Sequence, residues 1–206
     1  MGTYHIKNNS AYIQNYKTSI EDPESFWGTI AQDNFSWKRP WNRVLDWDFS
    51  SPKVSWFQGA QLNITENCID RHLEINGDKT AILFEPNDPK AASEAISYKD
   101  LHKRVNKFAN VLKSKGIQKG DRVCIYLPMI PDLAISVLAC ARIGAIHSVV
   151  FAGFSASALA SRINDCDCKM LITSDGGYRG AKTIDLKSIV DTALLDCVGI
   201  ESVLVA

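Results

Sequence analysis

The chain has 206 residues, 46% of them hydrophobic, and its 23 Lys+Arg balance 23 Asp+Glu for a net charge of zero. That length and composition suffice for a sizeable core, in one or two domains. The neutral balance argues against a general nucleic-acid or membrane-surface binder, which would need concentrated positive charge. No apolar run approaches the roughly 18–20 residues that cross a bilayer. The polar start MGTYHIKNNSAYIQNY carries no signal peptide, so the chain is expected in the cytoplasm with no membrane or nucleic-acid partner. Its six cysteines stand at 68, 124, 140, 166, 168 and 197, mostly in apolar runs, and read as thiols of a reducing compartment.

Aromatic residues crowd the beginning. All five Trp, four of the eight Phe and three of the six Tyr lie in the first 57 residues, interleaved with Pro40, Pro52 and charged residues at no clean period. Residues 1–60 are therefore expected to form an irregular arm whose rings plug into a larger body. Its single helix is expected over 21–34, with Asp22 as cap and Pro23 in the first turn.

Residues 61–206 follow a different grammar. A helix capped by Thr65 is expected to run to Asn76 and stop at Gly77, followed by a strand at Thr80–Phe84. Ser97-Tyr98-Lys99-Asp100 resembles a capping box. The spacing of Leu101, Val105, Phe108 and Leu112 predicts the helix behind it, closed by Lys113, Lys115 and Gly116. Strands are then expected at 122–127, 146–151, 169–173 and 202–205, alternating with helices at 131–143, 155–165 and 186–195. Such alternation predicts an α/β fold, a mainly parallel sheet with helices on both faces. The last strand, SVLVA, ends without turn or polar tail, which suggests a piece of a longer protein whose subdomain is cut at its C-terminus.

In open parallel sheets ligands bind beyond the carboxyl ends of strands. Leu127-Pro128-Met129-Ile130-Pro131 offers no polar group and reads as a rigid turn. Phe151-Ala152-Gly153-Phe154-Ser155 combines flat apolar rings, a glycine and a helix-capping serine, which suits a ligand but also an ordinary capped turn. Ser174–Lys182 is long for a strand-to-helix connection. It holds three glycines, Tyr178 for stacking, and the cations Arg179 and Lys182, a set that suits a phosphate-bearing ligand as well as a solvated loop. No GxxxxGK[ST] or GxGxxG occurs. Cys166-x-Cys168 lacks the spacing and second pair of a zinc site, so no metal is expected. His147 is expected as a core imidazole, His102 on an outward helix face, and His72 without a nucleophile in reach, so no catalytic triad emerges.

The blocks Trp56-Phe57-Gln58-Gly59-Ala60-Gln61-Leu62-Asn63 and Asn67-Cys68-Ile69-Asp70-Arg71-His72-Leu73 resemble the start of AMP-forming acetyl-coenzyme A synthetases. Ile125–Met129, Leu138–Ala145 and His147–Ser155 continue the resemblance in the same order and spacing. It implies a part of the first N-terminal subdomain of the adenylate-forming fold. It also implies a full-length enzyme that uses Mg2+ and ATP to convert acetate to acetyl-adenylate and then passes the acetyl group to coenzyme A (CoA). In that family the loop matching Arg179, Gly180, Ala181 and Lys182 meets the nucleotide end of CoA, with Arg179 near its 3′-phosphate. The turn matching Phe151, Ala152 and Gly153 belongs to the same pocket. Family members often carry Gly at the position of Ala152, and Lys182 lacks the planar fork of the Arg found elsewhere. The Lys-containing loop that grips ATP phosphates, the acetate-pocket Trp, the ribose-binding Asp and the adenylation Lys have no match here. The resemblance therefore implies no catalytic residue in these 206 positions, and the missing remainder of the chain as the principal partner. Two alternatives remain: a propionate–CoA ligase fragment, or a free-standing non-catalytic nucleotide-binding or interaction module.

Overall fold

The computed structural model describes residues 6–206. By contacts the chain divides into two compact units, Met1–Asn67 and Cys68–Ala206.

The first unit is more regular than its composition suggests. Helix α1 (Asn9–Glu21) precedes α2 (Pro23–Asn34), and a hairpin of β1 (Arg43–Asp48) and β2 (Lys53–Gln58) follows. Asp22 accepts the Ser25 amide with Pro23 behind it, as expected. Helix α1 escapes the sequence reading because it buries no residue and so shows no apolar stripe. The aromatic segment is thus not irregular. Its rings pack on one another, with Trp37, Trp41 and Phe57 at mutual centroid distances of 5.1–5.6 Å. Buried Asn67 accepts the Ser36 amide at 2.7 Å and donates to the Ser36 carbonyl at 3.0 Å.

The helix expected over 65–76 is broken into α3 (Ile64–Cys68), a 3-10 turn at Asp70–His72 and α4 (Leu73–Asn76). Asn63, not Thr65, caps its start, accepting the Thr65 amide at 3.0 Å. Within the second unit Asp70 takes both terminal nitrogens of Arg142, at 2.7 and 3.0 Å, a forked pair that holds the 3-10 turn. His102 lies 3.5 Å from the same carboxylate and is only one-third exposed, so it does not point outward. Strand β3 (Thr80–Phe84) pairs antiparallel with β4 (Glu94–Ser97), outside the main sheet. Ser97 then caps α5 (Tyr98–Ser114) through the Asp100 amide, as the capping box predicts.

The main sheet contains β5 (Arg122–Tyr126), β6 (Ile146–Val149), β7 (Met170–Thr173) and β10 (Ser202–Val205). All are parallel, in the order β10-β7-β5-β6. Helices α6 (Pro131–Ile143), α7 (Ala156–Cys166) and α8 (Leu186–Leu194) alternate with them. A hairpin of β8 (Gly176–Arg179) and β9 (Lys182–Asp185) intervenes before α8. Pleating sends alternate side chains to opposite faces. Val123, Ile125, Met170 and Ile172 join Leu101, Val105 and Ala139 of α5 and α6. Cys124, Tyr126 and Leu171 join Leu159, Ile163, Leu186 and Val190 of α7 and α8. The sheet is therefore covered on both faces, the expected α/β class. Edge strand β6 departs from expectation: His147 is exposed there rather than buried in the core.

Leu171 is fully buried at the second cluster, so Leu171→Ala should lower unfolding free energy by about 2–5 kcal/mol, read by denaturant titration. A second expectation concerns Asp185, which caps α8 by accepting the Ser188 hydroxyl and amide; these bonds hold its carboxyl below the ordinary value of 3.8. A carboxyl depressed on folding stabilises above its unfolded pKa, and that contribution fades as pH falls through the folded value. Protection of the Ser188 amide from hydrogen exchange should therefore weaken below about pH 4, and Asp185→Asn, a neutral cap, should remove that pH dependence.

Candidate functional site

The chain leaves β5 toward α6 on one face of the sheet, but leaves β6 and β7 toward α7 and α8 on the other. Connections that diverge to opposite faces from neighbouring strands open a crevice at the strands' carboxyl ends. Here it opens around the end of β5, and the loops that follow β5, β6 and β7 form its walls.

The β5 exit is tight. Ile130 donates to the Pro128 carbonyl at 2.8 Å and Pro131 opens α6, leaving Met129 largely exposed. The β6 exit is pinned from beneath: the hydroxyl of buried Tyr126 donates to the Phe154 carbonyl at 2.9 Å. The Phe154 amide also closes on the Phe151 carbonyl at 3.1 Å. The Phe151 and Phe154 rings meet edge-on at 6.0 Å, and the Arg162 guanidinium covers Phe154 at 5.2 Å. Ser155 caps α7 by accepting the Ala158 amide, as expected.

The segment Ser174–Lys182 is not a plain loop. It is most of the β8–β9 hairpin, in which Arg179 pairs with Lys182 across the Gly180-Ala181 turn. Gly180 has φ of 62° at the first central position, where type II′ hairpin turns use glycine. At the base, the Ser174 hydroxyl donates to the Gly176 carbonyl and the Gly176 amide to the Asp175 carboxylate. A Cβ on Gly177 would come within 3.1 Å of Pro128, a tight contact, so the absence of a side chain there eases the close approach of β8 to the β5 exit.

Two cavities share Pro128, Met129 and Tyr178. The smaller, about 390 Å³, lies between the β5 and β6 exits and brings Phe151, Ala152, Tyr178 and Arg179 together over a floor that includes Leu127 and Leu133. The larger, about 580 Å³, lies on the other side of Tyr178 and carries Glu85, Asp88 and Asp175. The smaller has a cation and no carboxylate in its lining, the larger carboxylates and no cation. An anionic ligand with a ring is favoured by the first and repelled by the second. Arg179 and Lys182 are exposed, and among the described residues neither forms an ion pair.

Of the residues singled out in the sequence, Phe151, Ala152, Tyr178 and Arg179 line this one cavity. Gly153, Gly180, Ala181 and Lys182 do not line it; they belong to the turns that carry the lining residues. Leu127, Pro128 and Met129 are wall residues that their apolar character hid; their position at the end of the central strand was the available signal. Thiol chemistry is disfavoured in the core, since burial raises the Cys124 thiol and pushes Cys140 to about 12 and Cys168 to about 11. Among the described residues no cluster of His, Cys, Asp or Glu is arranged to hold a metal, and no helix is long and apolar enough to cross a membrane.

Comparison with known proteins agrees with the α/β fold. Residues 69–205 match the AMP-binding enzyme family, and residues 12–68 match the acetyl-coenzyme A synthetase N-terminus. The chain is 53% identical over 190 residues to an acetyl-coenzyme A synthetase of Magnetococcus marinus, covering 92% of this chain and 29% of that protein. It is 53% identical over 194 residues to acetyl-coenzyme A synthetase 2 of Pseudomonas putida, covering 94% and 30%. Among solved structures it resembles acetoacetyl-CoA synthetase from Streptomyces lividans, with TM-score 0.85 and 25% identity over all of this chain and 30% of that one. The chain thus spans about 30% of the length of the curated relatives it matches. The junction of the two family matches, at 68/69, falls one residue from the division between the compact units at 67/68. With its α/β unit matched almost from end to end, the chain belongs to the AMP-binding enzyme family.

Proposed function

We propose that this sequence is the N-terminal portion of an acetate–CoA ligase that forms acetyl-CoA through acetyl-adenylate, and that it supplies part of the CoA site. The observation that carries the reading is the 390 Å³ cavity, which sets the Phe151 ring and the Arg179 guanidinium on one wall system without a competing carboxylate. An adenine ring stacks on an aromatic face, and a forked guanidinium matches a phosphate. Identity near 50% to acetyl-coenzyme A synthetases favours acetate over propionate and over a free-standing module. A cytoplasmic location belongs to the same reading, supported by cysteines that stand mostly in apolar runs rather than in a disulfide framework.

The described residues do not fit Mg-ATP. They offer no cluster for the ion, and no GxxxxGK[ST] loop for the phosphates occurs, so no step of adenylation is assigned to them. Their part is to hold CoA. Tyr126 and Phe154 fix the turn that presents Phe151, while the hairpin presents Arg179.

Two outcomes are expected. The isolated 206-residue chain should show no acetate-dependent exchange between ATP and pyrophosphate above a heat-killed control; activity above it contradicts the assignment. In the native-length protein, Arg179→Ala should raise KM for CoA by about ten- to a hundredfold, the effect of one charge-assisted phosphate contact, while acetyl-adenylate formation continues. Equal loss in both half-reactions would make the hairpin structural.

A further inference from the structure

We infer that Asn87 is a positioning residue for Arg179, acting through the hairpin turn; the inference rests on the CoA reading of that arginine. Four exposed residues, Arg179, Gly180, Ala181 and Lys182, form the hairpin tip, and a side chain built on Gly180 would touch nothing within 4 Å. The cross-strand pairs fix the shape of the hairpin but not its direction. Direction comes from two places. At the base Gly177 lies against Pro128, and the Lys187 amide donates to the Asp175 carbonyl at 3.1 Å. At the tip, among the described residues, one hydrogen bond reaches another part of the unit: Asn87 Nδ2 donates to the Gly180 carbonyl at 2.9 Å, across 93 positions of sequence.

Asn87 directly precedes a hydrogen-bonded turn. It sits in the connection between β3 and β4, where the Lys90 amide donates to the Asp88 carboxylate at 2.9 Å and the Ala91 amide to the Asp88 carbonyl at 3.0 Å. That local turn lets the carboxamide hold the neighbouring hairpin without first paying the full entropy of an unstructured loop. The acceptor is the carbonyl next to Arg179, so losing the bond frees the backbone that carries the guanidinium. A guanidinium that must find its phosphate from a loose turn binds it less well, because ordering the turn then falls to the ligand.

The test is direct binding of CoA and of 3′-dephospho-CoA to the native-length protein, so that the ratio of the two affinities isolates the phosphate contact. Wild type should prefer CoA. Asn87→Ala should shrink that preference about three- to tenfold, the range of a single net hydrogen bond, and leave dephospho-CoA affinity unchanged. Asn87→Gln, which keeps the amide donor, should restore part of it. An unchanged preference in Asn87→Ala, or equal weakening of both ligands, overturns the inference. If Arg179→Ala abolishes the preference in that case, the CoA reading stands without Asn87. A wild type with no preference removes the CoA reading of Arg179 and this inference with it.

Discussion

Val123, Cys124, Ile125 and Tyr126 of β5 are all fully buried, and alternate pairs serve two different apolar clusters. This one strand therefore carries the helices on both sides of the sheet. The alternation also decides where a ligand can go. Because α6 must cover one face and α7 the other, their leading loops part at the carboxyl end of β5, and the gap between them cannot be filled by either helix. The cavities follow from the burial pattern of the core rather than from any special feature of the loops.

What the loops add is charge and orientation. Tyr178 separates a lining with one arginine from a lining with three carboxylates, so the two halves of the crevice differ in sign within a few residues of chain. Tyr126 links the two levels. Its ring is core for α7 and α8, and its hydroxyl anchors the turn bearing Phe151. Removing it would disturb packing and site together, whereas Arg179 lies on an exposed tip and contributes to no core.

The α/β body was legible where local signals agreed with tertiary demands. Ser97, Ser155 and Asp22 cap the helices they were expected to cap, and Gly116 and Gly144 take the positive φ that their positions suggest. Two of the misreadings arise because the stabilising partner is distant in sequence. Nothing near Ile69 announces that Arg142 draws Asp70 aside and breaks the helix. Gly-Gly-Tyr-Arg has poor intrinsic strand propensity, yet pairs with Lys182–Asp185 to make a hairpin where a loop was expected. In β1 the adjacent Val44 and Leu45 are both buried, which hides the period of two that marks a strand. His147 sits in an apolar run, but on an edge strand that leaves it exposed. Of the site, Phe151, Tyr178 and Arg179 could be named because rings and a cation betray a use for them; Pro128 and Met129 stand at the end of a strand but were read as a rigid turn because they offer no polar group, and Leu133 reaches the cavity only through the packing of α6.

We propose that the crevice at the end of β5 receives the nucleotide end of CoA. A crystal structure of the native-length protein with CoA bound tests it most directly. The adenine ring should lie against Phe151 and the 3′-phosphate on the Arg179 guanidinium, between the loops that follow β5, β6 and β7. Nucleotide bound elsewhere, for example in the cavity beside Lys113, Lys119 and Arg142 at the amino ends of β5 and β6, would contradict it.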